Sequence, residues 1–208
     1  MTETDRAFYY KGARQTCLSH PEALYEHKDR AVYFTRIGIG PRTGTADTGE
    51  GPKGFSLHSQ PYGTFANSPA LLEAYMALDA AFEKTRLSPT ERQLVLLAVS
   101  VENACRYCTA AHSTVLKQFL RVPPEVVAAV RSGSPVSDHK LNVLVNLTRE
   151  IVSARGYVDQ QTIDSFLAAS YQKEQVLEVL IGVALKTISN YTDHLSPNEV
   201  DKAFAAER

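Results

Sequence analysis

Cys105, Cys108 and His112 stand at i, i+3 and i+7 within residues 94–119, LVLLAVSVENACRYCTAAHSTVLKQF. On a helix of about 3.6 residues per turn, three side chains at this spacing project from one face. A Cys-x-x-Cys pair can cycle between dithiol and disulfide, and a histidine one turn beyond Cys108 can exchange protons with that sulfur. The thiolate is the nucleophilic form of cysteine, and its pKa falls near a helix N-terminus or a protonated imidazole. Both cysteines feel the first effect and Cys108 also the second. Cys108 is therefore read as the attacking thiol. His112 is its general base, or the donor to a leaving oxygen. Cys105 resolves a sulfenic acid on Cys108 as a disulfide. Glu102, one turn before Cys105, is read as part of the proton relay or as the holder of a water. The plainer reading of Glu102 is an exposed carboxylate at a helix end.

Two other chemistries use the same residues. Structural zinc wants four ligands of Cys or His type, and Cys105, Cys108 and His112 supply three. The fourth would come from His139 or His194, far along the chain. The other alternative is two buried cysteines beside a core histidine, with no chemistry at all. Cys17, the third cysteine, is read as an ordinary small residue.

The bulk numbers exclude several partners. The chain has 208 residues, 44% hydrophobic and 22% charged, with a formal net charge of -1. That suits an ordinary globular protein with one generous core, and offers no bulk charge to recruit nucleic acid or an anionic membrane. No apolar run approaches the roughly 20 residues of a transmembrane helix. The N-terminus, MTETDRAFYYKG, carries acidic residues where a secretory signal needs basic ones. The expectation is a cytoplasmic protein, in which a close cysteine pair serves redox chemistry or metal binding more often than structure.

The elements that must hold these residues read as helices. Residues 1–60 form an arm or extension with weak periodicity, ending in the Gly-rich run GIGPRTGTADTGEGPKG. That run matches no phosphate-binding pattern and reads as a solvated connector. Residues 61–208 form the helical domain. Asn67 or Ser68 caps a helix with Pro69 in its first turn and an apolar stripe through Leu71, Leu72, Tyr75, Met76, Leu78 and Phe82. Ser88-Pro89-Thr90-Glu91 starts the next helix, apolar almost all round from Leu94 to Val99, as a central buried helix should be. Asn103-Ala104 predicts a break, placing Cys105 and Cys108 in the first turn of a helix running to about Leu120. A short helix after Pro124, another from Ser137-Asp138 to Gly156, a third from Thr162 to Ala169 and a strongly apolar one over 175–191 follow. Asn190, Tyr191 and His194, polar residues at the end of that last helix, either line a pocket beside the cysteines or satisfy a helix end. The tail from Leu195 is weakly amphipathic. Nothing alternates with period two long enough for a sheet, so the expectation is an all-α bundle with short Pro/Gly turns.

The run over 87–119, LSPTERQLVLLAVSVENACRYCTAAHSTVLKQF, resembles the alkylhydroperoxidase D-like, peroxidase-related branch of the carboxymuconolactone decarboxylase family. The family signature is Glu-x(11)-Cys-x-x-Cys-x(3)-His, and the resemblance extends from about Asn67 to Phe204. It implies an all-α, alkylhydroperoxidase D-like multi-helix bundle that is oligomeric, a trimer or hexamer or else a dimer. It also implies thiol-dependent reduction of hydroperoxides without a bound cofactor or metal. The implied partners are a hydroperoxide substrate and a thiol or lipoyl-type reductant. By the resemblance Cys108 is the peroxidatic cysteine, Cys105 the resolving one and His112 the relay histidine. The relay glutamate is replaced by Gln93, and Tyr107 stands where the type member has a histidine. Glutamine can hydrogen-bond a water but cannot carry a proton at neutral pH, so Glu102 or Glu91 would have to take over the relay, or the reaction is slower. Lactone or decarboxylase chemistry, and a non-catalytic member with a structural or zinc-stabilised site, are the alternatives.

Overall fold

The computed structural model of the chain describes residues 60–208. The arm, the Gly-rich run and Cys17 lie outside the described residues.

Each helix starts where the sequence supplies a partner for its free N–H groups. α1 (Gln60–Phe65) and α2 (Pro69–Phe82) are separated by Asn67, whose amide caps the Thr64 carbonyl at 2.9 Å, and by Ser68, whose hydroxyl accepts from Leu71 N. α3 (Pro89–Glu102) opens with a capping box: Ser88 Oγ accepts from Glu91 N at 3.2 Å, and the Glu91 carboxylate accepts from Ser88 N at 2.7 Å. The second Glu91 oxygen accepts from the Tyr171 hydroxyl at 2.8 Å. Glu91, one of the two relay substitutes considered above, is thus committed to holding a helix end.

α3 is the axis of the bundle. Leu94, Val95, Leu97, Ala98 and Val99 are fully buried. The helix is shared between two apolar clusters, which is why it is apolar all round. Val95, Leu96 and Val99 join Phe82, Leu144, Leu147, Phe166 and Leu185 on one side. Leu94, Leu97 and Ala98 join Leu116, Val127, Val130 and Val145 on the other. Each fully buried Leu or Phe contributes about 1.5–3 kcal/mol of transfer free energy.

The remaining helices close around it. α4 (Arg106–Thr114) carries the cysteine pair and runs into a wider π-helical turn, Val115–Phe119. α5 (Pro124–Ser132) ends at Gly133, whose φ of +76° is the left-handed cap that favours glycine. α6 (His139–Ser153) is capped by Asp138, which accepts from Leu141 N at 2.9 Å. α7 (Gln160–Ala168) and the long α8 (Lys173–Leu195) follow, and a 3-10 segment (Lys202–Glu207) ends the chain. No strand occurs among the described residues, as the missing period-two pattern predicts, and no described helix is long and apolar enough to cross a membrane.

Two details differ from the sequence expectation. α1 is helical although the pattern before Asn67 is too short to show it; Phe65 within it is fully buried, with its ring centroid 4.8 Å from that of Tyr75. α8 is oriented against its composition. Its apolar Leu177 and Leu180 are exposed, while Lys186, Ser189, Asn190 and Asp193 are buried. The reason is Gly182. A Cβ there would lie 2.7 Å from Val95 Cγ1 and 2.8 Å from Phe82 Cζ, so only glycine lets α8 sit this close to α2 and α3. That contact fixes the rotation of α8, and the next turns carry their polar side chains inward.

Candidate active site

The break before the cysteines forms as Asn103-Ala104 predicts. Asn103 caps α3, Ala104 takes a left-handed φ of +55°, and Cys105 N donates to Ser100 O at 2.9 Å. Cys105 becomes the N-cap of α4, with its sulfur accepting from Cys108 N at 3.4 Å. Both thiols sit at the positive end of a helix, where negative charge is stabilised. Both are unbridged and buried.

The tail builds one wall. The Tyr107 hydroxyl donates to Asp201 at 2.5 Å, and its ring meets Phe204 edge-on at 6.0 Å. Val200 and Phe204 pack on the small cluster of Cys105, Tyr107, Cys108 and Ala111. Glu207 binds both Lys117 and Arg131 at 2.9 Å, fastening the last residues across the π-helical turn and α5. Tyr107, where the type member of the resembled family has a histidine, is occupied in holding the tail.

α8 builds the opposite wall. Residues 186, 189, 190 and 193 share one face of it. The Cys105 thiol donates to Asp193 Oδ2 at 3.4 Å. The Lys186 charge lies near the Cys108 sulfur and favours its thiolate. Asn190 accepts from Asn103 Nδ2 at 3.0 Å, tying α8 to the end of α3. Tyr75 of α2 lies beside Ser189.

These neighbours separate the two thiols. The hydrogen bond from Cys105 lowers the Cys108 pKa well below that of an ordinary thiol; burial opposes this, and the Lys186 charge reinforces it. The same hydrogen bond, with burial and the negative charge at Cys108 and Asp193, pushes Cys105 up. Cys108 is thus the more acidic of the two thiols. His112 is 6% exposed, and burial, then the nearby Lys186 charge, hold its imidazole neutral well below its usual titration range. Its Nδ1 is 2.9 Å from Gln93 Oε1, so the glutamate position of the family signature does face the histidine, but through a neutral amide.

Cys105, Cys108 and His112 are brought together as their spacing predicts. Glu102 is exposed at the end of α3, and its carboxylate faces Arg149 at 3.6 Å. His194 stacks on Tyr191 at 6.1 Å, and His139 is the exposed first residue of α6. Among the described residues no three His, Cys, Asp or Glu side chains converge as metal ligands. Sequence reasoning passed over Lys186 and Asp193. Their signal was present: Lys, Ser, Asn and Asp at i, i+3, i+4 and i+7 form a polar stripe on an otherwise apolar helix.

A model of the carboxymuconolactone decarboxylase family matches residues 69–150, a span from the start of α2 to within α6 that includes the cysteine helix. Among solved structures, the chain is similar to a peroxidase-related protein from Silicibacter sp. TM1040, at 16% identity and TM-score 0.61, over 70% of this chain and 78% of that one. It is similar to an alkylhydroperoxidase AhpD core, a peroxidase-related protein from Ralstonia eutropha JMP134, at 19% identity and TM-score 0.62, over 69% and 77%. The debrominase Bmp8 is similar at 17% identity and TM-score 0.60, over 71% and 80%. At these identities the likeness is one of fold. No curated protein matches the chain by sequence.

Proposed function

We propose that this chain, whose residues 69–150 match a model of the carboxymuconolactone decarboxylase family, reduces hydroperoxides with the Cys105–Cys108 dithiol. The observation that carries the reading is a pair of buried, unbridged thiols at the N-terminus of one helix, where the Cys105 sulfur accepts from Cys108 N at 3.4 Å and His112 follows one turn beyond. Cys108, the more acidic thiol, attacks the terminal oxygen of a hydroperoxide, the O–O bond breaks, and an alcohol leaves. Cys105 then displaces the hydroxyl from the Cys108 sulfenic acid as water and closes a disulfide. A dithiol of low molecular weight or a lipoyl-type group returns two electrons and two protons. His112, buried and neutral, acts as a base or hydrogen-bond partner at the pair rather than as a cationic acid.

Assembly into a homo-oligomer is part of the same reading. Leu177, Leu180, Tyr191 and Leu195 stand exposed along α8, a stripe that suits burial against a second copy.

Consumption of an alkyl hydroperoxide in the presence of a dithiol tests the reading. The wild-type protein turns over, and Cys108→Ser falls to background. Full turnover in Cys108→Ser, or activity on a lactone that survives alkylation of every thiol, overturns it.

A further inference from the structure

We propose that two buried side chains of α8 serve the dithiol directly: Lys186 as counter-cation of the Cys108 thiolate and acid for the leaving oxygen, Asp193 as base for Cys105. This rests on the peroxide-reducing reading above and names the groups that move its protons.

The placement is unusual for charged residues. Lys186 is 3% exposed and Asp193 8% exposed. Taking such groups out of water costs several kcal/mol per ion unless each finds a partner. Lys186 takes part in none of the ion pairs among the described residues, and its charge lies near enough to the Cys108 sulfur to favour the thiolate. Asp193 divides its two oxygens. Oδ1 accepts from Asn198 N at 3.0 Å and Asn198 Nδ2 at 2.9 Å, which fixes the carboxylate, and Oδ2 is left for the Cys105 thiol at 3.4 Å. Each of the two buried charges thus has one of the two sulfurs beside it.

The other side of the site has no such groups to offer. Gln93 on α3 is neutral, and His112 carries no charge at neutral pH. The titratable groups facing this cluster from the surrounding helices are Tyr62 of α1, Tyr75 and Asp79 of α2 and His112 of α4. Burial pushes both tyrosines up and holds them neutral. Burial, then the nearby Glu83 charge, raises the Asp79 carboxyl, and the Lys186 and Arg92 charges oppose that rise.

The protons balance. The Cys108 thiolate bonds to the terminal peroxide oxygen, and the departing alkoxide takes a proton from the Lys186 ammonium. The Cys105 proton passes to Asp193, the Cys105 thiolate attacks the Cys108 sulfur, and the S–O bond breaks. The departing hydroxide takes the proton from Asp193 and leaves as water. The products are alcohol, water, a disulfide and a neutral Lys186. A dithiol reductant supplies two electrons and two protons, one restoring the Cys105 thiol and one the Lys186 ammonium, while Cys108 returns as thiolate.

The test measures each residue without relying on peroxide turnover. The pH dependence of Cys108 alkylation by iodoacetamide, followed by mass spectrometry, gives the thiolate midpoint. Lys186→Met should raise that midpoint by a pH unit or more, about tenfold slower alkylation near neutrality, and Lys186→Arg should leave it within half a unit. Lys186→Gln supplies the second reading if Lys186→Met does not fold. For Asp193, diamide replaces the peroxide. Asp193→Asn should form the first adduct on Cys108 at the wild-type rate and close the disulfide at least tenfold more slowly. An unchanged midpoint without the lysine charge, or disulfide closure at the wild-type rate in Asp193→Asn, overturns the assignment. If both variants behave as expected but wild-type protein consumes no hydroperoxide, the roles of α8 stand and the peroxide reading falls.

Discussion

His112 Nδ1 and Gln93 Oε1 face each other at 2.9 Å across the interface of α4 and α3. A carboxylate at that position would pull a proton onto the imidazole; the amide does not. Gln93→Glu is therefore expected to raise the His112 pKa and make the ring a usable acid near neutrality. General acid–base assistance spans about 10²–10⁴-fold in enzymes. We expect a gain of about tenfold in kcat/KM toward a hydroperoxide, with the pH profile acquiring a limb from the histidine. A fall in activity with an unchanged profile would show that the amide does more than fill the position.

The unequal thiols predict an unequal pair of variants. Cys105→Ser should retain the first chemical step, because Cys108 keeps its helix N-terminus and its lysine. One equivalent of hydroperoxide should leave a Cys108 sulfenic acid that dimedone traps, with no second turnover. Trapping at Cys105 in Cys108→Ser instead would reverse the two roles.

Stability should fall with acid for a reason that can be assigned. His112 is neutral in the fold and its pKa is depressed, so its contribution is complete above the unfolded value of about 6.5. Below that the unfolded chain binds a proton the fold refuses, at about 1.4 kcal/mol per pH unit. Cys108 acts in the same direction: its contribution is present above an unfolded pKa of about 8.5 and fades as pH falls through its depressed folded value. Cys105, pushed up, works oppositely and weakens the fold only as pH rises past about 8.5. Thermal melts from pH 7.5 to 5.5 should show the midpoint dropping, with a shallower drop in His112→Asn. Parallel curves would remove His112 as the cause.

Gly182 sets the rotation of α8 and so the inward aim of Lys186 and Asp193. Gly182→Ala should improve helix propensity by about 1 kcal/mol, yet lose more through contact with Val95 and Phe82, since overpacking typically costs about 1–3 kcal/mol. The expected net result is a lower denaturation midpoint together with a rise in the Cys108 alkylation midpoint. A stabilised protein with unchanged thiol reactivity would mean the helix relaxes around the methyl group.

The legible parts of the fold were those governed by local chemistry. Ser88-Pro89-Thr90-Glu91 declares the start of α3 because capping needs only four adjacent residues, and Asn103-Ala104 declares its end for the same reason. The Cys105, Cys108 and His112 constellation was legible because all three lie within about two turns of one helix. What escaped depends on contacts between distant segments. The inward rotation of α8 follows from a glycine meeting Val95 and Phe82, and counting apolar residues points to the wrong face. The return of Asp201 and Phe204 onto Tyr107 joins residues that no periodicity connects. Glu102 precedes the left-handed turn at Ala104, and its carboxylate faces Arg149 at 3.6 Å, a partner from α6 that no local pattern announces.

The most direct measurement is a free-thiol count before and after one equivalent of an alkyl hydroperoxide, with mass spectrometry to locate any new bond. Rapid loss of two thiols with a link between Cys105 and Cys108, reversed by a dithiol, is the predicted result. No loss, or a link involving Cys17 with the pair left reduced, would contradict the assignment of this site to peroxide reduction.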